Sequence, residues 1–254
     1  MAAARAAYIA GFAASSNLAA QRRYGVPAHG TAAHAFTMLH AQHGAPTELA
    51  ERAAFRAQVE ALGPGTTLLV DTYDVTTGVA NAVAAAGAEL GAIRIDSGEL
   101  GVLARQAREQ LDRLGATRTR IVVSGDLDEF SIAALRGEPV DSYGVGTSLV
   151  TGSGAPTANM VYKLVEVDGV PVQKRSSYKE SPGGRKEALR RSRATGTITE
   201  ELVHPAGRPP VIVEPHRVLT LQLVASGLRS LPADGLKLAP GEPAIPTRTI
   251  CARM

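Results

Sequence analysis

The sequence predicts an α/β protein, built from consecutive βα units around a parallel sheet and followed by a β-rich C-terminal portion. Three observations carry that expectation. Short apolar runs at 67–71, 91–96, 120–124 and 141–146 each end in polar, charged or glycine-rich residues. The stretches between them have helical periodicity. After residue 150 this alternation gives way to β-like runs separated by turn residues. Strands that alternate with helices pair in parallel, because each crossover carries the chain back to the same end of the sheet. The spacing fits a doubly wound sheet or a (β/α) barrel, and both gather functional residues at the C-terminal strand ends.

The elements follow in order. VPAHG (26–30) leads into a helical stretch, TAAHAFTMLH (31–40). A second helix near 48–62 places Phe55, Val59 and Leu62 at i, i+4 and i+7. TLLVD (67–71) reads as a buried strand, and the helix after it carries Val79 and Val83. GAIRID (91–96) is the next strand; its helix sets Leu100, Leu103, Ala107, Leu111 and Leu114 on one face. RIVVS (120–124) precedes a short helix around 127–136, and DSYGVG (141–146) is the fourth strand. In VYKLVEVDGVPVQK (161–174), Asp168-Gly169 predicts a hairpin. A further β region turns at Thr195-Gly196, VIVEP (211–215) has strand character, helical pattern returns near 217–230, and a Pro- and Gly-rich tail follows 231.

Composition narrows the class. With 254 residues and 44% hydrophobic content, the chain can bury one large core or two smaller ones. Cys251 is its single cysteine, which excludes a disulfide framework and a Cys/His zinc cluster. No run reaches the roughly 18–20 apolar residues of a membrane span. The alanine-rich start, MAAARAAYIAGFAASSNLAA, lacks the leucine-rich block of a signal peptide, so the expected location is the cytoplasm. The net charge is +3, yet residues 174–193 hold eight Lys/Arg against two Glu, which leaves the rest of the chain at −3. One basic segment on a mildly acidic protein suits an anion such as a phosphate or nucleotide. It lacks the interleaved aromatics of a single-stranded nucleic-acid groove, with Tyr178 alone inside it.

The strand ends hold the chemistry. Asp71, Asp96 and Asp126 suit Mg²⁺ bound to a polyphosphate, hydrogen bonds from ribose hydroxyls, or N-caps of the helices that follow. Ser124 and the Gly144-x-Gly146-Thr147 run share that rim, and the latter fits a short phosphate loop. No Walker A sequence occurs. Arg94 interrupts an apolar strand and needs an anionic partner, either Asp96 or a ligand phosphate. His34, early in a βα connection, could serve as acid/base, phosphoryl acceptor or hydrogen-bonded helix-face residue. His40-x-x-His43 lacks a partnered carboxylate motif for metal binding.

GTAAH (30–34), LLVDTYDVTTG (68–78), IRIDSGEL (93–100), VVSGDLDE (122–129), DSYGVGTSLVTG (141–152), VYKLVEVDGVPVQKRS (161–176) and KESPGGRKEALR (179–190) resemble, in order and spacing, the nicotinate phosphoribosyltransferase family over about residues 1–230. The resemblance implies an incomplete TIM-like (β/α) barrel of the nicotinate/quinolinate phosphoribosyltransferase type. Residues 1–155 would form part of the barrel, and 156–254 the rest of it with part of a smaller α/β domain. It also implies ATP-coupled joining of nicotinate to 5-phosphoribosyl 1-diphosphate, with Mg²⁺, by a cytoplasmic homodimer that binds neither nucleic acid nor membrane.

By the same resemblance, His34 is the histidine that ATP phosphorylates, and Arg94 and Asp96 hold the ribose and phosphate region. Gly125-Asp126 makes a second ribose contact, and Gly146-Thr147 forms the 5′-phosphate loop. Ser16-Asn17 meets nicotinate's carboxylate, although Ala14-Ser15 stand where the family has Gly-Thr. Lys174, Lys179 and Lys186 belong to the ATP side, and Asp71 with Asp96 to Mg²⁺. The family's long N-terminal region, with the aromatic that stacks on the pyridine ring, has no counterpart here, so little turnover is expected from these 254 residues alone. The alternative is an inactive remnant that binds anions or RNA through the 174–193 patch.

Overall fold

The computed structural model describes residues 1–152, 154–158, 161–175 and 182–208, together with the backbone of 217–221. The chain divides into two compact units. The first comprises residues 1–159 and 173–181; the second comprises residues 160–172 and 182–254.

The first unit opens with α1 (Ala2–Ile9), α2 (Leu18–Tyr24) and α3 (His34–Leu39), with Ser15 and Ala28 joined by a parallel bridge. Next come α4 (Thr47–Leu62), β1 (Thr67–Leu69), α5 (Val75–Ala86), β2 (Ala92–Ile95), α6 (Leu100–Arg113), β3 (Arg120–Ser124), α7 (Glu129–Ala134), β4 (Ser142–Gly144) and α8 (Thr147–Thr151). The four strands form one parallel sheet in the order β1-β2-β3-β4, as the βα rhythm requires. Leu68, Val70, Ile93, Ile95, Ile121 and Val123 are buried in its core with Val79 of α5 and Leu111 of α6. Gly78 lets α5 lie close on the sheet, since a Cβ there would stand 2.2 Å from the Val70 carbonyl oxygen. After α6, Arg108 donates to the carbonyls of Ala116 and Thr119 and pairs with Asp112, tying the helix end to the start of β3.

Two periodicities overreach. Leu62 is the last residue of α4, and Leu114 follows α6; both are exposed, because the helices have ended or left the sheet there. The buried face of α4 instead runs Ala50, Glu51, Ala54, Phe55, Gln58, a stripe that includes two polar residues.

In the second unit, β5 (Glu166–Val167) and β6 (Val170–Pro171) form the expected hairpin. Asp168 and Gly169 both adopt positive φ, as a two-residue type I′ connection demands. β7 (Lys186–Ser192) and β8 (Ile198–Pro205) turn through Gly196, and β9 (Arg217–Leu221) pairs antiparallel with the other edge of β7. The helical pattern read from residue 217 is therefore a strand over its first five residues. An apolar run this short has no decisive period, and the free edge of β7 settles it. VIVEP (211–215), residues 222–230 and the tail with Cys251 lie outside the described residues.

Glu51 gives the first unit a pH dependence. Its Oε2 accepts from Asn81 Nδ2 at 2.8 Å, Arg52 Nε donates to Asn81 Oδ1 at 2.8 Å, and Oε1 has no hydrogen-bond partner among the described residues. Burial pushes the carboxyl up from 4.5 to about 7, with Asn81 opposing. The folded state therefore binds more protons than the unfolded state between those two values, and stability falls as pH rises through that window. Glu51→Gln should remove this decline, worth up to about 3 kcal/mol. Urea unfolding at about pH 5 and about pH 8 checks it; an unchanged pH slope in the variant would contradict the assignment.

Candidate functional site

Register brings the polar strand ends together. Leu69 pairs with Arg94 and Ile95 with Val123, so Asp71, Asp96 and Ser124 follow as neighbours at one rim. Within β2 the twofold period separates two jobs: Ile93 and Ile95 enter the core, while Arg94, and Asp96 beyond the strand end, face the other way.

Arg94 uses its guanidinium fork on three partners. Nε donates to Ser124 Oγ at 2.7 Å, Nη1 to Thr31 Oγ1 at 2.7 Å, and Nη2 to Asp96 Oδ1 at 2.5 Å. The same Asp96 oxygen accepts from Ser124 Oγ at 2.5 Å. Burial pushes the Asp96 carboxyl up, but His34, Arg94 and Ser124 outweigh it and hold it well below the usual carboxylate range. Asp96 is thus a fixed anion.

His34 is the first residue of α3. Its Nδ1 lies 3.1 Å from Thr72 Oγ1, and its Nε2 lies 2.7 Å from Lys174 Nζ, 3.6 Å from Asp96 Oδ2 and 3.9 Å from Asp71 Oδ1. Asp71 is buried; Oδ2 accepts from Ser97 Oγ and stands 3.7 Å from Lys174 Nζ, while Oδ1 has no hydrogen bond among the described residues. Lys174 also donates to Ser97 Oγ at 3.3 Å, and the adjoining Arg175 N–H donates to the Thr72 carbonyl at 3.0 Å. Residues 173–175 thus return to this rim from far along the chain.

Six of the residues read from the sequence converge here: His34, Asp71, Arg94, Asp96, Ser124 and Lys174. Gly125 sits against them with φ +119°, and a Cβ there would come within 2.5 Å of the Asp96 carbonyl oxygen. Asp126 is exposed with φ +56° and caps no helix; the cap of α7 is Asp128, whose carboxylate accepts from the Ser131 N–H. Gly146 and Thr147 open α8 and are exposed. Ser16 abuts Gly30, whereas Asn17 Oδ1 is committed to capping α2 through the Ala20 N–H at 3.0 Å. Lys186 lies in the second unit, where its Nζ donates to the carbonyls of Pro182 and Gly184 and burial lowers its pKa. Lys179 lies outside the described residues.

Thr31, Thr72 and Ser97 escaped the sequence reading. Each sits inside a strand-end or loop motif, but a lone hydroxyl carries no signal until register shows which carboxylate or imidazole it meets. Among the described residues no three His, Cys, Asp or Glu side chains are arranged to hold a metal by themselves. Asp71 and Asp96 nevertheless suit Mg²⁺ shared with a phosphorylated substrate, which needs only one or two carboxylates, and Asp71 Oδ1, which makes no hydrogen bond among the described residues, fits that role.

Residues 3–198 match the nicotinate phosphoribosyltransferase (NAPRTase) family. The chain belongs to that family. It is 92% identical to nicotinate phosphoribosyltransferase pncB1 of Mycobacterium tuberculosis (strain ATCC 25618 / H37Rv), over 99% of this chain and 60% of the relative. It is 42% identical to nicotinate phosphoribosyltransferase pncB2 of the same strain, over 74% of this chain and 40% of the relative. The chain therefore spans about 60% of the length of the pncB1 relative. The α/β fold is shared with nicotinate-nucleotide pyrophosphorylase from Pyrococcus furiosus (TM-score 0.51, 26% identity, 85% of this chain and 53% of that one). It is also shared with nicotinate phosphoribosyltransferase from Vibrio cholerae (TM-score 0.56, 22% identity, 66% and 44%).

The Arg94 fork bonds to three strand-end and loop groups at once, a geometry a lysine ammonium cannot reproduce from one point. Arg94→Lys should therefore destabilise this NAPRTase-family chain by about 1–3 kcal/mol in urea unfolding. An R94K variant as stable as the wild type would deny the fork a structural role.

Proposed function

We propose that this chain carries the phosphoribosyl- and phosphoryl-handling part of a nicotinate phosphoribosyltransferase, which joins nicotinate to 5-phosphoribosyl 1-diphosphate with ATP hydrolysis in NAD biosynthesis. One observation supports this reading above the others: an imidazole is held among Asp71, Asp96 and Lys174, directly beside the Arg94–Asp96 fork. His34 accepts the γ-phosphoryl group of ATP. Lys174 offsets the charge on that group, as a cation does in phosphoryl transfer. Arg94 and Asp96 take the ribose and phosphates, with Gly125-Asp126 on the ribose and Gly146-Thr147 on the 5′-phosphate. Ser16 meets the nicotinate carboxylate, whereas the cap that Asn17 makes leaves its amide nitrogen for a ligand.

Mg²⁺, when bound by Asp71 and Asp96, neutralises polyphosphate charge and polarises the leaving diphosphate. The same reading carries a cytoplasmic homodimer. It gives residues 156–254 to the remainder of the barrel and part of a smaller domain. The RNA-binding alternative loses support in the second unit, because Arg190 and Arg191 of the basic stretch pair with Glu201 and Glu200 across β8.

Incubation with γ-labelled ATP and Mg²⁺ should leave an acid-labile, base-stable label on the wild type and none on a folded His34→Ala variant. Label persisting on H34A would move the role to another histidine, His29 first. A folded protein spanning the whole length of the relatives and taking no label would contradict the assignment. Arg94→Ala and Arg94→Lys should both weaken binding of phosphoribosyl diphosphate, read by calorimetry on folded protein; unchanged affinity would leave Arg94 with structure alone.

A further inference from the structure

The two ring nitrogens of His34 face chemically different partners. Nε2 is 2.7 Å from Lys174 Nζ, and a lysine ammonium has three N–H donors and no lone pair. Nε2 must therefore be the acceptor in that contact. Asp96 Oδ2 at 3.6 Å and Asp71 Oδ1 at 3.9 Å lie farther from Nε2 than the ammonium does, so Lys174 makes the short hydrogen bond to that nitrogen. A neutral imidazole that accepts at Nε2 carries its hydrogen on Nδ1. The group facing Nδ1 is the hydroxyl of Thr72, at 3.1 Å on a fully buried side chain. Thr72 is held in turn by its backbone, whose carbonyl accepts from the Arg175 N–H. Lys174, one residue before Arg175, contacts the other nitrogen, so one short segment braces both sides of the ring.

We infer that Thr72 is a positioning residue that fixes the Nδ1–H tautomer of His34, so that the phosphoryl group is carried on Nε2, in the space Lys174 Nζ now fills. This rests on the phosphoryl-acceptor reading of His34 above. In the step itself the Nε2 lone pair forms the N–P bond while the bond from γ-phosphorus to the bridging oxygen breaks. That electron pair leaves with ADP. The ring keeps its Nδ1–H and becomes cationic, and the Thr72 oxygen is placed to stabilise it. Lys174 withdraws from Nε2 and pairs with the phosphoryl oxygens. No proton has to leave the imidazole.

The tautomer can be read without ATP. In long-range ¹H–¹⁵N spectra of the folded chain, with His34 assigned by loss of its signals in H34A, Nδ1 should appear protonated and Nε2 unprotonated. Thr72→Ser should preserve that pattern, because it keeps the hydroxyl; Thr72→Val should lose it. Phosphoenzyme formation should fall about 10–100-fold in T72V and recover in T72S, the range seen when the partner orienting a metal-bound imidazole is removed. If T72V does not fold, the wild-type tautomer and the position of the phosphoryl group on the ring still decide. A protonated Nε2 in the wild type, an unaltered pattern in folded T72V, or phosphate on Nδ1 would each overturn the inference and leave the proposed function standing. Absence of label from a wild type with the expected tautomer would instead defeat the phosphoryl-acceptor reading, and with it the Nε2 assignment.

Discussion

The pairing of Arg94 with Asp96 is the constraint on which the site depends. Two ionic groups two residues apart on a central strand would be costly to bury alone. Here Arg94 also satisfies Ser124 from the next strand and Thr31 from the loop ahead of α3. One guanidinium therefore references β2, β3 and the His34 loop to each other. Asp96, kept ionised by those donors, provides the fixed negative charge against which the imidazole is set. Losing either partner would leave a half-buried charge, and losing Arg94 would also release the bonds to Ser124 and Thr31.

The same strands serve core and chemistry through their twofold period. Ile93 and Ile95 anchor β2 among the helices, and that anchoring places Arg94 and Asp96 to within a side chain's reach of their partners. Gly125 extends the logic: only a residue without Cβ passes so close to the Asp96 carbonyl in a left-handed conformation. Packing and function are therefore coupled, and a core substitution beneath β2 would be felt at the rim.

Much of the first unit was legible from the chain. Apolar runs that end in charge mark strand ends, so the four parallel strands and the grouping of Asp71, Asp96 and Ser124 followed from pattern alone. What pattern could not supply was distance along the chain. Lys174 lies 140 residues after His34, and only the returning 173–175 segment shows that they meet. The buried Glu51 was hidden because a glutamate on an otherwise suitable helix face reads as a surface residue. Asp126 suits the cap of α7 by pattern, but its backbone makes it an exposed left-handed residue and leaves the cap to Asp128. The form of β9 is decided by its partner edge on β7 and not by its own period, which is why its sequence pattern suggests a helix.

The proposed function requires these strand ends and His34 to bind one phosphorylated ligand as a unit. A crystal structure of the protein with 5-phosphoribosyl 1-diphosphate and Mg²⁺ tests it most directly. The expected result is phosphate oxygens at the β1–β3 rim, Asp71 and Asp96 on the metal side, and Lys174 Nζ shifted from the imidazole onto the ligand. Ligand bound away from this rim, with Lys174 still on His34 and the Arg94–Asp96 pair untouched, would contradict it.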